Sequence, residues 1–353
     1  MILSYEEIDR EEWSRLVRTS ATGTWFQTPE AYCFYESMPE FFRPFVVAVE
    51  RVNDLTNERT LRGVCVGYVT KEKNAIKQYF TRRAIIIGGP ALADDASSEE
   101  VELLMNGVKE LMSERINGSP IYIETRNFND YSRWKGAFEK AGFEYQKHLN
   151  FHVDCTDKQK MWERLSDNRK RQIRKKPTPD PSLKGGEKEG KDVSEQDVRE
   201  WYAILQELYR TKVKTPLLPV EFFVQAYKQG VGQFLLIRHE GKIIGGSMVV
   251  KSSDAVYEWY ECGMNAAYKE QYPSVMATWA GMQYAHEQGC ARYDMMGAGV
   301  PGVPYGVRDF KSEFGGTLVE HGRWLYVAKP WLYAIGKAGV DMLKNKIINL
   351  IRL

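Results

Sequence analysis

Several signals that would settle a function quickly are missing from this chain. Its five cysteines (Cys33, Cys65, Cys155, Cys262, Cys290) form no C-x-x-C pair. An odd, dispersed set reads as free buried thiols in a reducing compartment, not as a disulfide framework or a zinc site. The five histidines (His148, His152, His239, His286, His321) show no ligand spacing on a helix. No H-E-x-x-H, G-x-S-x-G or Walker sequence occurs, which argues against metal catalysis and against a serine or cysteine triad. No apolar run reaches the ~20 residues that cross a bilayer. The first residues, Met1 to Glu7, lack the basic and apolar regions of a signal peptide. A dominant charge is lacking too: 49 Lys and Arg face 47 Asp and Glu, for a net charge of +2. That balance argues against bulk nucleic-acid binding and leaves room for local basic patches. The expectation is a cytoplasmic protein that uses no metal.

What is present predicts two domains, because 353 residues exceed one ordinary core. Asp9 with Glu12, and Ser97 with Glu100, have capping-box spacing, and Thr28-Pro29 is a hydroxyl before a first-turn proline. Strands are expected at 45–49, 61–69, 84–87, 121–124 and 143–153. In the second half, helices are expected near 158–175, 194–211, 220–228 and 273–286. A hairpin around Gly241 and strands near 256–261, 292–296 and 318–327 complete that half. The same order of elements thus occurs twice, which predicts a mixed α+β fold of two like domains side by side. The expected bounds are 1–155 and 156–328, with the site in the second domain and a basic amphipathic helix over 329–353. Residues 176–193 are rich in proline, glycine and charge and are expected to be a disordered insertion. The last helix docks on the body in one reading and meets an anionic inner membrane face in the other.

The stretch from Tyr293 to Gly316 concentrates the chemistry. Gly297-Ala298-Gly299-Val300-Pro301-Gly302 matches G-x-G-x-x-G, but a dinucleotide site needs a helix directly after it. Pro301, Pro304 and Gly306 are expected to prevent a helix from beginning there, which makes this loop a flexible approach to Phe310-Lys311-Ser312-Glu313-Phe314-Gly315-Gly316. Six of the eight residues from Arg169 to Lys176 are basic, and Lys212 and Lys214 follow one helix later. Two such clusters can hold a polyanion such as a phosphate, a diphosphate or an RNA backbone. Aromatics crowd the third strand and the next helix start (Tyr257, Trp259, Tyr260, Tyr268, Tyr272), where one face can line a ligand groove. Glu261 and Asp294 stand near the ends of neighbouring strands and can orient an amine or pair with Arg292 or Arg308.

Four segments resemble the Fem-type (FemABX) peptidoglycan aminoacyltransferases, a family built from two tandem domains of the acetyltransferase (GNAT) fold. They are Trp162 to Lys175, Tyr260-Glu261-Cys262-Gly263-Met264 with Tyr272-Pro273, Tyr293-Asp294 with the Gly297 turn, and Phe310-Lys311-x-x-Phe314-Gly315-Gly316. Phe26 to Glu30 and Gly88-Gly89-Pro90 fit the first domain more weakly. The resemblance implies acyl transfer from aminoacyl-tRNA to a peptidoglycan precursor, lipid-linked or UDP-linked, with no bound cofactor. It implies that Lys311 lies near the reacting carbonyl and that Lys212 meets the acceptor's diphosphate. Tyr260 and Asp294 join Lys311 as candidate catalytic residues; Arg174, Lys175, Phe310 and Tyr272 join Lys212 as candidate substrate-binding residues. Two features depart from the family: Glu36 stands where a member has another phosphate-binding lysine, and a paired-helix tRNA arm is absent. The alternatives are a CoA-dependent N-acyltransferase on the same fold, against which the glycine-free segment Glu270 to Ser274 weighs, and a non-catalytic binder of cell-wall precursors.

Overall fold

A computed structural model describes the chain except residues 54, 115–118, 176–192 and 339–353, and except the side chains of Ala75, Lys77 and Glu114. All but the end of the expected insertion, and the final helix beyond residue 338, therefore lie outside the described residues. The chain forms two compact units, Met1–Lys147 with His321–Leu353, and His148–Glu320.

In the first unit the strands are β1 (Ile2–Leu3), β2 (Phe42–Val52), β3 (Arg59–Thr70), β4 (Ala84–Gly88), β5 (Ala91–Leu92), β6 (Tyr122–Asn127) and β7 (Glu144–Gln146). The second unit holds β8 (Leu149–Asp154), β9 (Gln233–His239), β10 (Lys242–Lys251), β11 (Ala255–Gly263), β12 (Arg292–Gly297) and β13 (Thr317–Glu320), and β14 (Arg323–Val327) returns to the first. The sheet orders are β1-β2-β3-β4-β6-β14-β7, with β5 on β3, and β13-β8-β12-β11-β10-β9. Each sheet contains two antiparallel pairings followed by one parallel pairing, β4 with β6 and β11 with β12. A parallel pair needs a crossover, and the helices Ser98–Glu114 and Pro273–Glu287 supply the two. The expected duplication of a mixed α+β unit is present.

The N-caps form where the spacing predicts, but the box at Asp9 stays half made, because the Glu12 carboxylate accepts from Leu61 N at 2.7 Å instead. Asp9 Oδ1 accepts from Glu12 N at 2.8 Å, Thr28 Oγ1 accepts from Ala31 N at 3.2 Å, and Ser97 and Glu100 close a reciprocal capping box. The turn between β9 and β10 places Glu240 (φ 50°) and Gly241 (φ 78°) in the left-handed region, as a tight hairpin requires.

The unit boundaries differ from the expected 155/156 and 328/329. The segment read as one strand over 143–153 is two, β7 in the first sheet and β8 in the second. The segment read as one strand over 318–327 is likewise β13 and β14, in different sheets. Each break is a short polar run, Gln146-Lys147-His148 and Glu320-His321-Gly322-Arg323, but such a run does not say that the next strand joins another sheet. One trace remains at Gly322, where φ is 63° and a Cβ would stand 2.3 Å from the Tyr145 ring. The helix expected over 158–175 also splits, into Lys158–Glu163 and Asp167–Arg174, because Ser166 Oγ caps the second piece through Arg169 N at 3.2 Å. No helix among the described residues is long and apolar enough to cross a membrane.

Candidate active site in the second unit

Parallel pairing between β11 and β12 is confined to Ala255–Arg292, Val256–Tyr293 and Tyr257–Asp294. Past that point β11 continues to Gly263 along β10, and β12 bulges away from regular pairing with β8 between Asp294 and Gly297. Met296 sits in the bulge at φ 57°, a conformation that a non-glycine residue holds only when its surroundings enforce it. Two side chains do so. Asp294 Oδ1 accepts from Met296 N at 2.7 Å, and the Lys311 ammonium donates to the carbonyls of Met295 and of Gly297, the latter at 2.9 Å. Asp294 is fully buried, and its second oxygen lies 3.1 Å from His152 Nε2.

Lys311 lies in a short helix, Gly306–Ser312, rather than in a turn. The expectation that no helix forms here is corrected. The prolines delay a helix past Gly302, and it then begins at Gly306. The loop before it is not a free approach either. The Arg308 guanidinium donates to the carbonyls of Ala298 (2.8 Å), Val303 (3.1 Å) and Val300 (2.6 Å) and so fixes the loop's path. Lys311 itself is buried, which pushes its pKa down, while Glu258, Asp294 and Glu261 oppose that shift. An ammonium has three N–H groups, and carbonyls occupy two of them. One donor remains.

Besides Asp294, the charges that act on this cation belong to two carboxylates that the sequence separates. Residues three apart on a regular strand face opposite sides. Here β11 and β10 shift register so that Met248 faces Tyr260 and Val249 faces Glu258, which leaves Trp259 as the extra residue of a bulge. The bulge brings Glu258 and Glu261 to one face. Glu258 is buried and accepts from the Tyr293 hydroxyl (2.9 Å) and the Thr278 hydroxyl (3.1 Å). Burial pushes its pKa up. Glu261 is pushed up to about 8, first by burial and then by the charge of Glu258. Its Oε1 is shielded from solvent and has no hydrogen-bond partner among the described residues. Sequence reasoning named Glu261 and missed Glu258, for want of any local sign of the bulge.

Close backbone approach builds the rest. At Gly263 a Cβ would meet Ser274 N and Oγ at 2.7 Å, and at Gly245 it would meet the Cys262 carbonyl oxygen at 2.8 Å, so both must be glycine for the helix start at Pro273 to sit on the strands. Gly281, mid-helix, makes room for Tyr293: a Cβ would stand 2.2 Å from the tyrosine oxygen. Gly281→Ala gains about 1 kcal/mol of helix propensity. It also forces the ring that holds Glu258 to move, and overpacking costs about 1–3 kcal/mol. Urea unfolding should therefore give a net loss of stability; an unchanged midpoint would mean that the Tyr293 ring has space to shift.

The other candidates fall into two further groups. Tyr260 packs edge-on against Phe223 at 4.9 Å, and its ring is 6.5 Å from that of Tyr209. Tyr209 opens the π-helical turn Tyr209–Val213, which carries the exposed Lys212. The basic run is divided by its helix. Arg169 points inward, its guanidinium 4.5 Å from the Phe310 ring and 3.3 Å from Glu313, and burial pushes its pKa down. Phe310 is thus covered by Arg169 and packs on Phe314 at 5.2 Å. Lys170, Arg171, Arg174 and Lys175, with Asp167, line a shallow cleft of about 350 Å³. Tyr272, at φ 49°, is the left-handed residue before Pro273 and packs on the core. The structure therefore brings Lys311 and Asp294 together at the β12 bulge, and places Tyr260 with the Lys212 turn and Arg174 with Lys175 elsewhere on the unit. Among the described residues no cluster of three or more His, Cys, Asp or Glu side chains is arranged to hold a metal ion.

Comparison with known proteins bears on the fold. Residues 168–312, inside the second unit, match the family described as "Acetyltransferase (GNAT) domain". No curated protein sequence matches the chain. Among solved structures, FemX superposes with a TM-score of 0.67 at 13% identity, over 95% of this chain and 99% of that one. L-PGS from Bacillus licheniformis gives 0.51 at 12% identity, over 96% and 97% of the two chains. A tandem GNAT protein from the clavulanic acid biosynthesis pathway gives 0.51 at 9% identity, over 92% and 98%. The chain has the Fem-type fold of two tandem GNAT-like units, and its second unit carries the acetyltransferase-type domain.

Proposed function

We propose that the protein transfers an acyl group to an amine, as a Fem-like aminoacyltransferase that moves an amino acid from aminoacyl-tRNA to a peptidoglycan precursor. One observation carries the reading. Where β11 and β12 part, a buried ammonium with one donor left over among the described residues lies within electrostatic reach of a carboxylate with a shielded oxygen, unpartnered among the described residues, and a pKa pushed up to about 8. These are the two groups that aminolysis of an ester requires. Glu261 takes a proton from the acceptor's ammonium, and the freed nitrogen attacks the ester carbonyl carbon. The carbonyl oxygen becomes an oxyanion, which the remaining N–H of Lys311 stabilises. The tetrahedral intermediate then collapses: the C–O bond to the ribose breaks, the leaving oxygen takes the proton from Glu261, and the regenerated carboxylate takes the second proton from the attached nitrogen and passes it to solvent, which leaves a neutral amide. Asp294 acts by holding the bulge that aims Lys311. Binding both substrates on one protein supplies the remaining rate, with no protein nucleophile needed.

Lys212, Arg174 and Lys175 are assigned to the anionic parts of the substrates, on the strength of their exposure and of the cleft beside the latter pair. Lys212→Ala should raise KM for the acceptor roughly ten- to a hundredfold with kcat nearly unchanged. A fall in kcat at constant KM would remove it from acceptor binding. The alternative, CoA-dependent transfer, asks the helix start after β11 for free backbone amides. Pro273 has none, and the amide of Ser274 already donates to Asn265 Oδ1 at 3.2 Å, which favours the reading without CoA. Mass spectrometry after mixing the protein with aminoacyl-tRNA or acyl-CoA and a panel of muropeptide precursors tests both. An amino-acid mass on a precursor supports the proposal, and an acyl mass from CoA selects the alternative.

A further inference from the structure

The first unit exposes an apolar surface that the acyl-transfer chemistry does not use. The helix Ala75–Thr81 turns Ile76 (73% exposed), Tyr79 and Phe80 to solvent, and the helical segment 330–338 does the same with Trp331 and Ile335 (56% each). The two segments are bound into one surface. Ile121 N donates to the Arg82 carbonyl at 2.8 Å, and the Ile121 carbonyl accepts from Ala328 N (2.9 Å) and Lys329 N (3.0 Å). The Lys329 ammonium lies 5.7 Å from the Tyr79 ring centre, and the Tyr333 ring meets Tyr122 edge-on at 5.6 Å. Leu332, 2% exposed, anchors the second segment. Single exposed apolar residues need no explanation, but five on two adjoining segments do.

Cations outnumber acids around them. Residues 71–83 contain Lys71, Lys73, Lys77, Arg82 and Arg83 against Glu72 alone, and residues 328–338 contain Lys329 and Lys337 with no acidic residue. That pattern selects the occupant. A second copy of the chain docking through this same patch would set these cations against themselves. The chain's own residues 339–353 carry Lys344, Lys346 and Arg352 against Asp341 alone, so their charge also opposes the patch. An RNA would satisfy the cations but would leave Ile76 and Ile335 with nothing to bury against, since bases stack on aromatic rings and not on isoleucine. An anionic lipid surface satisfies both parts: aromatic and aliphatic side chains enter the headgroup boundary and Lys and Arg meet the phosphates. We propose that this face of the first unit docks peripherally on an anionic membrane. This inference stands apart from the proposed acyl transfer and does not rest on it.

The test is co-sedimentation of the full chain with phosphatidylcholine vesicles, with and without about a third phosphatidylglycerol. Binding should appear with the anionic vesicles and fall about fivefold for each patch cation replaced by a neutral residue. Phe80→Ser should weaken it about tenfold, and Ile76→Ser with Trp331→Ser further. These side chains are exposed, so a matching melting temperature checks the fold, and unchanged acyltransferase activity on a water-soluble precursor separates docking from catalysis. Three results would each overturn the proposal. The first is no binding at physiological salt, and the second is equal binding to neutral vesicles. The third is binding that Lys344→Glu with Lys346→Glu abolishes while the patch variants leave it intact. Patch-dependent dimerisation in sedimentation velocity without vesicles, or patch-dependent retention of tRNA with no vesicle binding, would instead assign the surface to a second copy or to RNA.

Discussion

Lys311→Met is expected to lower turnover by ~10²–10³, the usual cost of losing one oxyanion donor. The structure adds a second consequence. The ammonium also ties together the carbonyls of Met295 and Gly297, so the variant loses two charge-assisted hydrogen bonds to a strained bulge. Such bonds contribute about 1.5–3 kcal/mol each at most, so the variant should melt earlier yet remain folded. The two effects separate experimentally. If the lysine stabilises the oxyanion, kcat falls and KM for both substrates stays near its original value in the folded protein. If it acts only through the bulge, a carbonyl-binding replacement such as Lys311→Arg should restore both melting temperature and turnover. Near-normal turnover in folded Lys311→Met would remove the residue from the chemistry altogether.

Glu261→Gln is expected to lower turnover by ~10²–10⁴, the range for a lost general base. Its pH dependence is the sharper readout. With the carboxyl pushed up to about 8, the wild-type rate should climb as pH rises through that value, and the variant should lose this limb. Stability should move in the opposite sense. A carboxyl whose folded-state pKa is raised binds its proton more tightly when folded, so its contribution is present below the unfolded pKa and is lost as pH rises through about 8. Glutamine carries no charge to bury, so the variant should lose less stability than wild type over that window. A variant more stable at alkaline pH but slower is the signature of a strained catalytic carboxylate. An unchanged pH–rate profile would assign the limb to the acceptor amine instead.

Both residues were within reach of the sequence to different degrees. Lys311 stood out through its place between Phe310 and Phe314 and through the resemblance to Fem-type proteins. Its helix did not, because Arg308 fixes the loop from carbonyls up to ten residues away. Asp294 was legible as a strand-end carboxylate. Its service to Met296 was not, because positive φ at a methionine follows from the bulge and not from the residue type.

The sequence by itself determined the caps at Asp9, Thr28 and Ser97, the duplicated order of elements and the two-unit mixed fold. Each of those rests on residues within one or two turns of each other, or on hydrophobic period along one segment, and such interactions act before the chain has folded. Tertiary structure alone decided which sheet receives β7, β8, β13 and β14, because strand pairing is a choice among distant partners and apolar alternation is the same for each. It also decided that Glu258 and Glu261 face the same way. That outcome depends on a register shift between β10 and β11, and register belongs to the pair of strands, not to either one.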